Sequence, residues 1–200
     1  PGTYVSTEGR VQRADKAGVE MIAARATLDG PNSVRLSTGR NVSARVILVA
    51  TGGAPMMQPA IPGVELAISS NEIFDVARFP ARLLVVGGGY IAVEFASVFA
   101  RLGAQVAQVF RADNILRGFD SDVRAHLAEE MTHAGVSLKP GVLPTRIERA
   151  AGGLRATLSN GETIDVDQVL MATGRSPHPH GLGLEAAGVG LRHSGAIIVD

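Results

Sequence analysis

The sequence contains no cysteine, and only 4% of its 200 residues are aromatic. Without cysteine, these residues cannot supply a disulfide, a thiolate metal site or a thiol nucleophile. No apolar run approaches the roughly 20 residues that span a bilayer. Basic and acidic residues balance at 19 each, so the charge pattern indicates no surface for nucleic acid or an anionic membrane. We therefore expect no nucleic-acid or membrane partner, and a cytoplasmic protein.

The composition is that of a globular chain, since 46% of the residues are hydrophobic and 24 are glycine. Such a composition is typical of one large domain or two small ones with many tight turns. The chain begins at Pro1 without an initiator methionine and ends on the extended apolar run "GAIIVD". We expect a fragment of a longer protein.

Two segments share one design. "SVRLSTGRNVSARVILVATGG" (33–53) and "LRATLSNGETIDVDQVLMATGR" (154–175) each alternate apolar and polar residues, turn at a glycine, return as a strand and end in Ala-Thr-Gly. Between them, "APMMQPAIPG" carries Pro55, Pro59 and Pro62. These prolines disfavour helix and central strand, so they predict an extended linker between two domains.

Strands alternate with helices after the linker. The sequence predicts a short helix near 71–76, strands over 83–86, 105–110 and 136–138, helices over 90–102 and 121–134, and a meander that ends at Thr173. This alternation predicts an α/β fold whose parallel strands are joined by right-handed crossovers. The helix over 90–102 is expected to pack on the sheet through the apolar residues Ile91, Phe95, Val98, Phe99 and Leu102.

A glycine turn lies between the first of these strands and its helix, in "LLVVGGGYIA". In this G-x-G-x-x-A pattern, Gly87 permits the tight turn and Gly89 lets the backbone approach a pyrophosphate. Ala92 keeps the helix close to the sheet, while the amides of the helix N-terminus face the anion. The pattern in this context predicts a dinucleotide site; the alternative is a glycine turn with a structural role only.

The strand over 105–110 is followed by Arg111, where units that bind NAD usually close on an acidic residue. Together with Arg117 further along the loop, Arg111 can clamp the extra phosphate of NADPH through bidentate, charge-assisted hydrogen bonds. Two alternatives stay open. The arginines are solvated loop charges, or Asp113, which lies past the end of the strand, is a ribose ligand for NAD.

Three stretches, "GGGYIAVEFA", "FRADNILRGFD" and "LMATGRSP", resemble the glutathione reductase branch of the pyridine nucleotide-disulfide reductase family. The paired arginines and "LRGFD" favour this branch over the dihydrolipoamide dehydrogenases. The resemblance implies a flavoprotein in which a Rossmann-like NADPH-binding domain is inserted in an FAD-binding domain. It assigns 1–53 to a partial FAD-binding domain, 54–63 to the linker, 64–175 to the NADPH-binding domain and 176–200 to the start of the returning FAD-domain segment.

The resemblance also implies which residues hold the cofactors. Tyr90 would cover the nicotinamide pocket and swing aside when NADPH enters, and Glu94 would support the site from one turn into the helix. The NADPH contacts would come from Gly87, Gly88, Gly89, Tyr90, Ile91, Glu94, Arg111, Arg117 and Gly174. Ala26, by its backbone, and Thr51 and Gly52 would lie near FAD.

By resemblance, the parent enzyme would reduce glutathione disulfide, with hydride passing from NADPH to FAD and electrons passing on to a cysteine pair. The family's cysteine pair, first FAD-binding glycine turn and catalytic His-Glu pair have no counterpart in this sequence. We therefore expect the fragment alone to be inactive, and the parent to be a homodimer through a C-terminal domain outside this chain. The alternatives are a reductase of another low-molecular-weight disulfide, a dihydrolipoamide dehydrogenase-like enzyme, and a noncatalytic NADP(H)-binding module.

His178 and His180 stand at alternate positions in "SPHPHGLG". Paired histidines can bind a metal ion, but a site needs further ligands, and none lies nearby in the sequence. The sequence predicts a loop here and no metal ion.

Overall fold

A computed structural model describes residues 7–199, with the backbone alone for residues 7–11. The described chain divides into two compact units. One contains the residues up to Thr51 and those from His178 onward, and the other is Gly52–Pro177. Between residues 7 and 199, no helix combines the length and the apolar character needed to cross a membrane. The assignment of FAD-binding and NADPH-binding domains to these units stays a prediction.

The first unit contains a small antiparallel sheet. Its elements are helix α1 (Thr7–Lys16) and strands β1 (Ala26–Leu28), β2 (Ser33–Leu36) and β3 (Asn41–Ser43). The predicted glycine turn joins β2 to β3. Gly39 has a φ of +88°, and its amide donates a hydrogen bond of 2.9 Å to the Leu36 carbonyl.

The predicted returning strand forms over β3, which pairs with β2, but it does not continue through the apolar run that follows. Residues 44–52 adopt no regular secondary structure, and Val46 and Leu48 are exposed. A strand needs a neighbour that completes its ladder of hydrogen bonds, and within residues 7–199 no strand pairs with this run. The apolar sequence was therefore not sufficient to predict how far the strand continues.

The second unit contains a parallel sheet, a meander and a short strand pair. Its elements are β4 (Gly53–Pro55), β5 (Arg82–Val86), α2 (Tyr90–Arg101), β6 (Gln105–Phe110), α3 (Ser121–His133), β7 (Val136–Pro140), β8 (Pro144–Ala150), β9 (Gly153–Leu158), β10 (Thr163–Val166), β11 (Gln168–Met171) and β12 (Arg175–Pro177). The short helix predicted near 71–76 is a 3-10 turn over Glu72–Asp75. β4 pairs with β12.

The parallel sheet has the strand order β11-β5-β6-β7, which confirms the predicted α/β fold. Strand β5 is buried on both faces. Leu83 and Val85 pack in the cluster formed with α2 and α3, whereas Leu84 and Val86 pack in the cluster formed with the meander. A parallel sheet covered on both faces needs a continuous apolar strand at its centre, and "LLVV" supplies one.

The strand order reverses beside β5. From β5 the chain continues through β6 to β7, whereas β11 lies on the other side of β5. In open α/β sheets, ligands bind beyond the carboxyl ends of the strands at such a reversal. The fold therefore directs a ligand to the ends of β5 and β11.

The meander covers one face of this sheet. β8, β9 and β10 pair antiparallel, and Leu154, Ala156 and Leu158 alternate into the core. The turn at Asn160-Gly161 connects β9 to β10. The Asn160 side chain stabilises this turn by accepting a hydrogen bond of 3.1 Å from the Glu162 amide.

Helix α2 packs on the sheet through a face that overlaps the predicted one only in part, since Phe99 is buried and Ile91 and Phe95 pack partly buried against the same core. Its buried residues are Ala92, Val93, Ala96 and Phe99. The predicted face members Val98 and Leu102 are 51% and 65% exposed. The small alanines allow the helix to lie close to the sheet, and this close approach outweighs the burial of the larger side chains.

Asp167 connects the meander to the start of β5. Its carboxylate accepts hydrogen bonds from the backbone amide of Arg82 (2.8 Å) and from Arg82 Nε (3.1 Å) and Nη2 (2.6 Å). The side-chain hydrogen bonds from Arg82 lower the pKa of Asp167. The ionised carboxylate therefore contributes to the stability of the folded unit.

We expect Asp167→Asn to lower the free energy of unfolding by about 1 kcal/mol at neutral pH, since the pair is partly exposed and both guanidinium donors converge on Oδ1. The carboxyl group has a lower pKa in the folded protein than its value of about 3.9 in the unfolded chain. Its contribution is therefore complete well above that value and is lost as the pH falls through the folded-state pKa. Urea denaturation of both proteins measures the difference, and a difference independent of pH would contradict this reading.

Candidate functional site

The glycine turn opens helix α2 at the carboxyl end of β5. Gly89 is the N-cap of α2, and its carbonyl accepts a hydrogen bond of 3.1 Å from the Val93 amide. The amides of the first turn have no partner inside the helix, and a glycine cap has no side chain to satisfy them. The helix N-terminus therefore presents free donors to an anion.

The three glycines of the turn meet three different constraints. Gly87 has a φ of +136°, and a Cβ there would lie 2.2 Å from the Ala172 carbonyl oxygen. A Cβ at Gly88 would lie 3.2 Å from the Cβ of Phe110, whereas a Cβ at Gly89 would have no neighbour within 4 Å. Packing within the protein thus requires Gly87 and restricts Gly88, but it does not require Gly89.

A buried glutamine holds the turn from below. Gln108 on β6 is fully buried, and its Nε2 donates a hydrogen bond of 2.9 Å to the Gly87 carbonyl. The Gly87 amide donates to the Val109 carbonyl at 2.8 Å. Within the described residues, Gln108 Oε1 has no hydrogen-bond partner. The sequence analysis did not identify Gln108; its only signal is a polar residue inside the apolar strand "QVAQVF".

The end of β11 lies beside the glycine turn. The Ala172 amide donates to the Val86 carbonyl at 2.8 Å, and Gly174 follows with a φ of +134°. The Met56 amide donates to the Gly174 carbonyl at 2.9 Å, and Thr173 Oγ1 donates to the Met56 carbonyl at 3.0 Å. The structure therefore brings the segment of Gly174 to the same sheet edge as the glycine turn.

The loop after β6 folds onto the glycine turn. The Leu116 amide donates a hydrogen bond of 2.6 Å to the Gly88 carbonyl. Arg111 and Arg117 lie on either side of this contact, and both are exposed. Across residues 7–199, neither guanidinium forms a salt bridge, so both charges are available to a ligand. Asp113, the alternative ribose ligand, lies 3.6 Å from Arg124.

The predicted helix residues occupy the first turns of α2. Tyr90 is 57% exposed, Ile91 is partly buried and Glu94 is exposed. All three residues lie next to the glycine turn, as predicted. Their predicted roles toward NADPH stay predictions.

The predicted FAD residues lie in open positions. Ala26 begins β1 and pairs with Leu36, and Ala26, Thr51 and Gly52 are all exposed. Gly52 has a φ of +69°, and a Cβ there would meet nothing within 4 Å. The backbone at Gly52 is therefore accessible from solvent.

No metal-binding cluster of three or more His, Cys, Asp or Glu side chains occurs in the part of the chain that the structure describes. His178 and His180 form an edge-to-face ring pair with centroids 5.9 Å apart. Their contact is explained by aromatic packing.

A groove of about 660 Å³ lies at the opposite edge of the parallel sheet. Its lining includes Pro80 and Ala81, which precede β5, and Gln168, which begins β11. Because ligands of open α/β sheets bind at the carboxyl ends of the strands, this groove is not the expected nucleotide site.

The glycine contacts predict that alanine at Gly87 mainly lowers stability, whereas alanine at Gly89 mainly weakens dinucleotide binding. Gly87→Ala should lower the free energy of unfolding by about 2 kcal/mol or more, because a Cβ would strain the backbone and press on the Ala172 carbonyl. Gly89→Ala should lower it by less than about 1 kcal/mol, since alanine is a poorer N-cap than glycine but meets no neighbour there, and yet weaken dinucleotide binding by about tenfold or more. Chemical denaturation and nucleotide titration measure the two effects. A stable Gly87→Ala protein, or a Gly89→Ala protein with unchanged affinity, would contradict this description of the turn.

Comparison with known proteins places the chain in a family. The model of the family "Pyridine nucleotide-disulphide oxidoreductase" matches residues 5–200. The chain is 46% identical over 194 residues to a glutathione reductase of Burkholderia cepacia, covering 96% of this chain and 43% of that protein. It is 45% identical over 177 residues to a glutathione reductase of Nostoc sp., covering 88% and 38%. A trypanothione reductase of Trypanosoma congolense is 38% identical over 198 residues, covering 93% and 40%.

A solved structure has the same fold. The HOCl-induced flavoprotein disulfide reductase RclA from Escherichia coli superposes with a TM-score of 0.88 at 27% sequence identity, covering 98% of this chain and 46% of that one. The chain thus spans about two fifths of the length of the curated relatives that it matches. The resemblance predicted from the three sequence stretches is confirmed, and the chain belongs to the pyridine nucleotide-disulphide oxidoreductase family.

Proposed function

We propose that the chain is the nucleotide-binding part of an NADPH-dependent FAD flavoprotein that reduces glutathione disulfide. The observation that carries the proposal is the contact between the Leu116 amide and the Gly88 carbonyl. This contact brings the loop of Arg111 and Arg117 to the glycine turn, so one dinucleotide could meet both. The names of the glutathione reductases at 46% and 45% identity support the choice of substrate.

The proposed NADPH site runs along the carboxyl edge of the sheet. The free amides at the start of α2 would hold the pyrophosphate, and the two exposed guanidinium groups would hold the 2′-phosphate. The open space at Gly89 fits a backbone that approaches the pyrophosphate. The residues proposed to contact NADPH are Gly87, Gly88, Gly89, Tyr90, Ile91, Glu94, Arg111, Arg117 and Gly174.

The proposed flavin contacts are Ala26, Thr51 and Gly52. All three are exposed, and the open space at Gly52 leaves its backbone accessible to a flavin. When bound, NADPH and FAD supply hydride and two-electron transfer, and the electrons leave through a cysteine pair that this chain does not contain. The contribution proposed for this chain is to bind and orient NADPH, with Tyr90 covering the nicotinamide pocket and Glu94 supporting it.

Two further candidate functions are retained. The relative named trypanothione reductase favours the alternative that another low-molecular-weight disulfide is the substrate. A noncatalytic NADP(H)-binding module would use the same site without flavin. The homodimer through a domain outside this chain, the absence of nucleic-acid and membrane partners, and the cytoplasmic location stay predictions from the sequence.

We expect the chain to bind NADPH about two orders of magnitude more tightly than NADH. Each charge-assisted hydrogen bond from Arg111 or Arg117 contributes about 1.5–3 kcal/mol, and about 1.4 kcal/mol corresponds to a factor of ten in affinity. Arg111→Glu should abolish or invert this preference. Arg149→Glu, which changes an exposed arginine on β8, serves as the matched control. Equal affinity of the unchanged chain for both nucleotides would refute the assignment.

The reaction is tested on the parent flavoenzyme that contains the chain. We expect glutathione disulfide to support NADPH oxidation and NADH to be a poor donor. Faster turnover with a different low-molecular-weight disulfide would favour the sibling reductase, and absence of flavin would favour the noncatalytic module.

In the same enzyme, Tyr90→Ala should change the rate of flavin reduction in stopped flow while leaving NADPH affinity nearly unchanged. An unchanged rate with lost affinity would assign Tyr90 a structural role.

A further inference from the structure

The loop between β6 and α3 is irregular but firmly packed at its centre. Ile115 is fully buried, and Leu116 is 8% exposed. Leu116 also has a φ of +53°, a conformation that a leucine adopts only when its surroundings hold it. The centre of the loop therefore has a defined conformation, although both arginines beside it are exposed.

Arg124 on α3 supplies hydrogen bonds that hold this centre. Its Nε donates to the Ile115 carbonyl at 2.7 Å, and its Nη2 donates to the Asn114 carbonyl at 3.4 Å. Nη2 also lies 3.6 Å from Asp113 Oδ1. The Arg124 side chain is only 20% exposed, whereas Asp113 is 93% exposed. Two of the three nitrogens of this guanidinium, Nε and Nη2, thus donate to the loop.

The start of α3 places Arg124 at this position. Asp120 Oδ1 caps the helix by accepting from the amides of Asp122 (2.9 Å) and Val123 (3.3 Å). The Arg124 amide donates to the Asp120 carbonyl at 3.0 Å, so Arg124 lies in the first turn of a capped helix. Its side chain crosses back over the loop that precedes the helix.

Two backbone hydrogen bonds hold the rest of the loop. The Gly141 amide donates to the Ala112 carbonyl at 3.2 Å, and the Leu116 amide donates to the Gly88 carbonyl at 2.6 Å. The segment between Arg111 and Arg117 is therefore attached to the end of β7, to α3 and to the glycine turn. Of these attachments, the one to α3 depends on the side chain of a single residue, Arg124.

We propose that Arg124 is a positioning residue that fixes the relative placement of Arg111 and Arg117 and thereby sets the discrimination between NADPH and NADH. The inference rests on the proposed nucleotide site. Arg124 donates to loop carbonyls and is not among the residues proposed to contact NADPH. Its removal would leave the glycine turn and the two backbone hydrogen bonds in place, but would loosen the segment that carries the two phosphate-binding charges.

The test compares both nucleotides in one variant of the 200-residue chain. Arg124→Met keeps a long apolar stem and removes every donor. We expect it to weaken NADPH binding by about tenfold and NADH binding by less than about twofold. Arg124→Lys, which retains a charge and can donate to a single carbonyl, should give an intermediate loss of NADPH affinity. Arg146→Met removes an exposed arginine that pairs with Glu148 at 2.7 Å, and it should change neither affinity.

A structural readout accompanies the titrations. Amide hydrogen exchange should be faster at Leu116 in Arg124→Met and unchanged in Arg146→Met, because the contact with Gly88 opens more often. Equal loss of NADPH and NADH affinity would overturn the proposal, since it would show a general effect on the fold. Unchanged NADPH affinity would also overturn it. If Arg124→Met does not fold, the same criteria apply to Arg124→Lys.

The clamp itself is tested separately from Arg124. In a chain that carries Arg111→Ala and Arg117→Ala, the preference for NADPH should be lost, and adding Arg124→Met should change neither affinity further. A preference that survives the double substitution would refute the proposed nucleotide site and this inference with it. A preference that is lost in the double variant but retained in Arg124→Met would refute only the role of Arg124.

Discussion

The close contact between Gly87 and the Ala172 carbonyl is the constraint from which the candidate site is built. A Cβ at Gly87 would lie 2.2 Å from that oxygen, so any other residue would push the ends of β5 and β11 apart. Because the two ends stay together, the chain can turn directly from β5 into α2. The N-terminus of α2 is thereby placed at the reversal of strand order, where an open α/β sheet accepts a ligand.

The same closeness determines how α2 packs. Ala92 and Ala96 are fully buried on the side of α2 that faces the sheet. Their small side chains allow the helix axis to approach the sheet. The larger residues Val98 and Leu102 remain exposed as a result. The position of the helix N-terminus thus depends on two kinds of small residue. Glycine in the turn lets the strand ends meet, and alanine in α2 lets the helix lie close to the sheet.

The glycine turn, the parallel sheet and the order of strands and helices could be predicted, because each depends on local sequence and hydrophobic periodicity. Gln108 and Arg124 could not. Gln108 is a buried polar residue only because both faces of β6 are covered. Arg124 resembles any charged residue near the start of a helix until the loop folds back and offers the carbonyls of Asn114 and Ile115. Their partners are set by tertiary contacts that carry no local signal.

By itself, the sequence determined the α/β class, the glycine turn between β5 and α2, the glycine turns of the hairpins, and the resemblance to the pyridine nucleotide-disulphide oxidoreductases. These features follow from residue type and spacing along a short stretch of chain. The tertiary structure alone decided that Ala92 and Ala96, rather than Val98 and Leu102, are buried on α2, and that the loop of Arg111 and Arg117 rests on Gly88. It also decided that the apolar run over residues 44–52 lacks a strand partner within residues 7–199. Each of these outcomes depends on residues distant in the chain, because burial and ladder pairing are properties of the neighbours that folding supplies.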